Sequence, residues 1–302
     1  MLRETVLRYT LYFFFYSAAG WLVESCYCSV RPRKWVNRGF LTGPLCPIYG
    51  TGALVFLVFV LPLKEKFSLP VTVAGREIDL TVIIVFFAGL VLADIVEFTV
   101  SLLMEKMFHA RWWDYSENFL NIQGRICFKH SIYWGLASIG FLYVIHPFVN
   151  RYFIKLPIDF VEVILAVVLS VFVIDVFDAV RKAMDVRALI DKIKKFRAEL
   201  SAQFGSTFDD ILAMGEEEFK EFSEKASKHK AEIAARVSEI RESFEILSKG
   251  FVSKDYKQKG KYNRMFTEFP MVKAAARAQL DNLEINIEKI KEKIKNTISR
   301  DG

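Results

Sequence analysis

Residues 80–104 read LTVIIVFFAGLVLADIVEFTVSLLM, 25 positions whose only charges are Asp94 and Glu97. An α-helix rises 1.5 Å per residue, so about 20 such residues cross a hydrocarbon core. The stretch therefore predicts a membrane helix. Comparable blocks lie on either side, at roughly Tyr9–Val30, Ile126–Val149 and Ile158–Val180, with a fifth that becomes smoothly apolar over Ala53–Leu63. Together they predict an all-α, polytopic membrane protein with about five transmembrane helices. The apolar pattern stops near residue 180, and charged helical sequence follows it.

Composition supports the division. The 302 residues are 53% hydrophobic and 15% aromatic, with 28 Phe, which is too apolar for a soluble protein of this charge. Residues 1–180 hold 15 Lys+Arg against 14 Asp+Glu, whereas 181–302 hold 26 against 21, so most of the net +6 lies in the second part. We expect a transmembrane domain over 1–180 and a helical tail over 181–302, suited to an anionic membrane face. Cys26, Cys28, Cys46 and Cys127 have neither zinc-finger nor redox spacing and read as small membrane-helix residues. The first apolar block is long and no small-residue cleavage site follows it, so no cleavable signal is expected.

Loop charges set the orientation. Arg31, Arg33, Lys34, Arg38, Lys106, Arg111, Arg125, Arg181, Lys182 and Arg187 fall on one side, against Arg3, Arg8, Lys64, Lys66, Arg76, Arg151 and Lys155 on the other. The positive-inside rule places the C-terminal part in the cytoplasm of a cell-membrane protein. The stretch Gly39–Gly52 carries four glycines and two prolines, which do not make a plain helix. It is either spanning or re-entrant, and its backbone must be buried in protein or line a wet cavity. Lys64–Asp79 reads as a loop or short hairpin.

The tail predicts three amphipathic helices. Val186, Leu189, Ile193, Phe196 and Leu200 mark the first, and Phe219 through Leu247 the second. The third begins near Pro270 with a seam of Ala276, Leu280, Leu283, Ile287, Ile290 and Ile294. This seam has coiled-coil spacing, which fits an antiparallel hairpin or an association between copies. The Lys/Tyr-rich run Lys254–Arg264 reads as a solvated or headgroup-facing loop, with no nucleic-acid module around it.

Acids within apolar helices carry the functional signal. A carboxylate at a bilayer centre costs about 2.5–3.5 kcal/mol on insertion scales, so such acids face inward. Asp94 and Glu97 share a helix face, and Glu24 sits at a similar depth in the first span. With Arg38, Arg125 and Lys129 at the same level, they predict a polar chamber open to the cytoplasm. Asp175 and Asp178, near the end of the fifth span, read instead as structural ion pairs. Trp112 and Trp113 suit interfacial anchoring. The neighbouring Asp114, Tyr115, Asn121, Gly124 and Arg125 make their loop dense enough in polar groups to cap the chamber or dock a partner. His109, His130 and His146 are too dispersed for a metal site, and no hydrolase, zinc-protease or phosphate-loop motif is present.

These residues resemble a known family. Gly20-Trp21-x-x-Glu24-Ser25, followed by Asn37-Arg38-Gly39-Phe40-Leu41-x-Gly43-Pro44-x-x-Pro47-Ile48-Tyr49-Gly50-x-Gly52, is similar to the first signature of the bacterial ABC-transporter permease family called CmpB or type IV. The second signature runs from Glu97 through Arg111-Trp112-Trp113-Asp114-Tyr115-Ser116 to Asn121-Ile122-x-Gly124-Arg125-Ile126-Cys127. Trp134-Gly135 and His146-Pro147 complete a likeness over about residues 10–150.

The resemblance implies a transporter-like membrane protein, not an enzyme, without metal or cofactor. The chain has no ATPase, so a separate subunit would dock on the cytoplasmic side, at Arg31–Arg38 and Glu105–Gly124. Glu24, Asn37, Arg38, Asp94, Glu97, Trp113, Asp114, Tyr115, Asn121 and Arg125 are expected to line the cavity. Two other classes fit the residues: a membrane-embedded enzyme on a lipid-linked substrate, and a scaffold or sensor working through a coiled-coil tail that pairs copies of the chain.

Overall fold

The computed structural model describes residues 2–30, 33, 35–67, 70–73, 76–204, 206–249 and 269–300. It is 82% helical with almost no sheet. The Lys254–Arg264 run and most of the Arg31–Lys34 loop lie outside the described residues. Helix α1 spans Leu2–Val30, α2 Pro47–Lys66, α3 Thr81–Phe108, α4 Phe128–Phe153 and α5 Ile158–Phe204. A β-hairpin, β1 Pro70–Val73 with β2 Arg76–Asp79, joins α2 to α3. A second small pair, β3 Asn121–Ile122 with β4 Ile126–Cys127, precedes α4. By length and composition four helices can cross a membrane: α2, α3, α4 and α5. Helix α1, the other expected span, is continuous over 29 residues. Its Tyr9, Tyr12, Tyr16, Trp21 and Glu24 make it less apolar than the rest.

The glycine- and proline-rich stretch divides differently from the sequence expectation. Only residues 35–46 are irregular, and Pro47 opens α2, where a missing N–H costs nothing. The irregular part folds back along α1. Val36 N donates to Ser29 Oγ (2.8 Å), Arg38 N to Ser25 Oγ (3.1 Å) and Cys46 N to Ser17 O (3.0 Å). Ser17 stands 13 residues inside the end of α1, so the loop penetrates about 20 Å along the helix axis. The N–H groups of Val36, Arg38, Thr42, Gly43, Leu45 and Cys46 are satisfied within the protein, as a lipid setting demands. Asp175 Oδ1 accepts from Thr42 N (2.9 Å) and Oδ2 from Gly43 N (2.8 Å).

The α1–loop–α2 and α3–loop–α4 segments are built alike. Phe56-Leu57-Val58-Phe59-Val60 and Phe141-Leu142-Tyr143-Val144-Ile145 each form one π-helical turn, followed by Leu61-Pro62 and His146-Pro147 respectively. Gly50 and Gly135 stand at the same spacing before these prolines. A Cβ on Gly50 would meet Phe13 O at 2.5 Å, and one on Gly135 would meet the Phe86 ring at 2.6 Å. Each glycine therefore allows a close helix crossing within its own hairpin. Matching residues also touch each other: the Phe56 and Phe141 rings lie 5.9 Å apart and those of Tyr49 and Trp134 6.0 Å apart. Self-contact between matching residues is what an approximate two-fold axis between the hairpins produces. Leu57, Val60, Val85 and Leu142 fill the core around it.

Contacts divide the chain into two compact units, residues 1–105 with 113–181, and 106–112 with 182–302. Helix α5 runs unbroken from the expected fifth span into the expected first tail helix. No Gly or Pro interrupts residues 158–204, so nothing in the sequence stops it. In the second unit α6 (Phe208–Ala213) opens on a capping box from Thr207 and Asp210. Helices α7 (Glu216–Lys249) and α8 (Pro270–Arg300) form an antiparallel pair, with Arg241 on Glu284 and Lys293 over the Phe219 ring. Ala276, Leu280 and Leu283 of the α8 seam are fully buried. Trp112, expected at the interface, is buried in this unit beside Phe108 and Phe269. His109 pairs with Asp191 at 2.7 Å.

Candidate functional site

Glu97 lies on the inward face of α3 and is 7% exposed. Its two oxygens accept from different elements. Tyr115 Oη donates to Oε1 at 3.0 Å and Trp134 Nε1 to Oε2 at 3.0 Å. Trp134 is delivered by α4, one turn after Ser131, whose hydroxyl donates to Asp94 Oδ2 at 2.7 Å. The other Asp94 oxygen is buried and has no hydrogen-bond partner. The i, i+3 spacing of the two acids on α3 thus meets the i, i+3 spacing of their two donors on α4.

Tyr115 reaches Glu97 because its loop folds back between α3 and α4. Tyr115 N donates to Gly124 O (2.7 Å), Trp113 Nε1 to Arg125 O (3.0 Å), and the Tyr115 ring stacks on His130 at 4.3 Å. Positive φ angles at Leu120, Gln123 and Gly124 make the reversal. Burial pushes the Tyr115 phenol well above its ordinary value, and Glu97, Cys127 and Glu24 add to the shift through their charge.

Glu24 occupies the matching place in the first hairpin. Arg38 Nε lies 3.4 Å from its Oε1, and Cys46 Sγ donates to Oε2 at 3.8 Å. Tyr49, the counterpart of Trp134, follows one turn after Cys46, with its N–H donating to Cys46 O at 3.1 Å. Cys46 is buried, so its thiol meets Glu24 away from solvent.

Other expected cavity residues hold the loops in shape. Trp21 Nε1 donates to Asn37 Oδ1 (2.6 Å), and Asn37 Nδ2 to Thr42 O (2.9 Å). Asp114 Oδ1 accepts from Ser116 N, and Asn121 bridges Ser116, Asn118 and Gly124. Arg125 is buried, but its guanidinium pairs with Glu105 (2.6 Å) and donates to Ser101 (3.2 Å). Lys129 lies over the Tyr133 ring at 5.8 Å. Asp175 and Asp178 meet the Gly/Pro loop at Thr42 and Gly43, a structural task. Tyr49, Ser131 and Trp134 were not assigned to the site from sequence. The matching spacing of Ser131-x-x-Trp134 and Asp94-x-x-Glu97 was the available signal for two of them. Among the described residues no group of three His, Cys, Asp or Glu is placed to hold a metal.

A multi-helix membrane bundle with inward carboxylates at matching depths in two hairpins has the makings of a transport-type protein. The family model described as Putative ABC-transporter type IV matches residues 11–180, more than half of the chain, and the chain belongs to that family. It is a transporter-like membrane protein. No curated protein and no solved structure matches it.

Proposed function

We propose that this chain is the membrane-spanning permease subunit of an ABC-type transporter, with solute passing at the polar cluster of Glu24, Asp94, Glu97, Tyr115 and Arg38. The observation that carries the reading is that two like hairpins hold an acid at matching places, Glu24 beside Arg38 and Cys46, and Glu97 between Tyr115 and Trp134. Transporters built from repeats place their sites where the repeats meet. The chain carries no ATPase motif, so the energy source is a separate nucleotide-binding subunit. The tail and the loops at the same end as residue 181 face the cytoplasm of the cell membrane, following the loop charges.

Glu97→Gln tests the site, because the amide oxygen still accepts a donor while the charge is gone. Proteoliposomes holding either protein with its ATPase are given a cell extract, and the solutes they retain are compared by mass spectrometry. The variant should fold and lose at least tenfold in retained substrate. An unchanged solute profile would sink the assignment. Purification in native lipid that never retains an ATPase would remove the ABC arrangement.

A further inference from the structure

The unit formed by residues 106–112 and 182–302 contains a cavity of about 800 Å³, walled by the end of α5, by α6, and by α7 and α8. It is a consequence of the α8 seam. The seam's first three positions, Ala276, Leu280 and Leu283, are fully buried. Further along, Ile290 and Ile294 share the cavity wall with Ala226, Ala234, Ser227 and Ser238 of α7, whose small side chains leave the space unfilled. Leu200, Ile211 and Phe222 complete an apolar lining. The space is a groove open on one side, where Ser227, Ala234 and Ser238 are exposed, and Leu200, Ile211, Phe222 and Ile287 form its buried floor.

The charges on the lining have one sign. Among the described residues Arg241, Lys291 and Lys295 are the ionisable members of the lining, and no carboxylate is among them. Arg241 holds Glu284 (2.8 Å) and Lys291 holds Glu288 (3.2 Å), both outside the lining. The cations stand at the exposed rim, above an apolar floor. A single alkyl chain fits the volume and the walls.

We infer that this cavity binds a single-chain anionic amphiphile of the fatty-acid class. The chain lies along the isoleucines, and the carboxylate takes over a cation at one end, Arg241 or the Lys291/Lys295 pair. Burial of methylene groups supplies the affinity and the cations select the headgroup.

The test uses the full chain in nanodiscs with a diazirine-bearing palmitate, followed by peptide mapping. Label is expected within residues 222–241 and 287–295, displaced by excess palmitate but not by hexadecylamine. Filling the space with Ala234→Leu and Ser238→Leu should reduce that labelling at least tenfold with helicity unchanged. Should the filled variant misfold, Arg241→Gln with Lys291→Gln and Lys295→Gln leaves the walls intact and should lower labelling as much. Label confined to the apolar spans, equal displacement by the amine, or undiminished labelling of a folded variant overturns the inference.

Discussion

Glu97 is held by two donors that differ in origin, a phenol from a loop and an indole from a helix. Replacing either with phenylalanine removes one hydrogen bond from a buried carboxylate; at position 115 the ring is kept, at position 134 a smaller ring replaces the indole. Tyr115→Phe and Trp134→Phe should each destabilise the protein by about 1–3 kcal/mol, and together by less than the sum, because they share an acceptor. Thermal unfolding in one detergent measures all three. At this scale the sequence showed the acids but not their company. An acid in an apolar helix is conspicuous, whereas Tyr115 comes to Glu97 only through a loop reversal that needs left-handed backbone at Leu120 and Gln123. Arg125 is the opposite case: its charge was visible, but its partner Glu105 lies two turns beyond Glu97 on α3.

At the scale of elements, α2 offers a paired test. Gly50→Ala would set a methyl 2.2 Å from Ser17 Oγ and 2.5 Å from Phe13 O, and a backbone oxygen does not move aside. Gly52→Ala meets nothing within 4 Å. The first should lower the unfolding midpoint by several degrees, while the second gains about 0.8–1 kcal/mol of helix propensity. In the tail, hydrogen bonds from the Thr207 hydroxyl and then its backbone N–H hold the Asp210 carboxyl below the usual aspartate range. A depressed folded value means that the stabilisation is present above about pH 4 and lost as pH falls through that value. Hydrogen-exchange protection of amides 208–213 should therefore fall from pH 6 to pH 3, and Thr207→Ala should remove most of that change. The long helices were legible in the sequence, since periodicity and hydropathy are local properties, but the short α6 at Phe208–Ala213 was missed. The start of α2 was not legible either, because two glycines and a proline argue against helix until the α1 crossing gives Gly50 a reason to be there.

For the whole molecule, the loop charges predict a cytoplasmic tail, and that orientation can be tested. With the four native cysteines replaced and Lys228→Cys introduced on exposed α7 surface, a membrane-impermeant maleimide should label inverted vesicles and spare intact cells. Labelling of intact cells would reverse the topology. The sequence reading found five apolar blocks but not the pairing of the first four into two like hairpins. The connecting loops differ in length, and the shared features are a glycine, an aromatic and a π-turn before a proline. These become a pattern only when Phe56 meets Phe141 and Tyr49 meets Trp134. One consequence of that pairing concerns handedness. The two halves share a frame but not furnishings: one acid carries a guanidinium neighbour, the other an indole and a phenol. On the proposed reading, a guest seated between them would meet unlike flanks, and its heading would be chosen by the contents of the halves and not by their architecture.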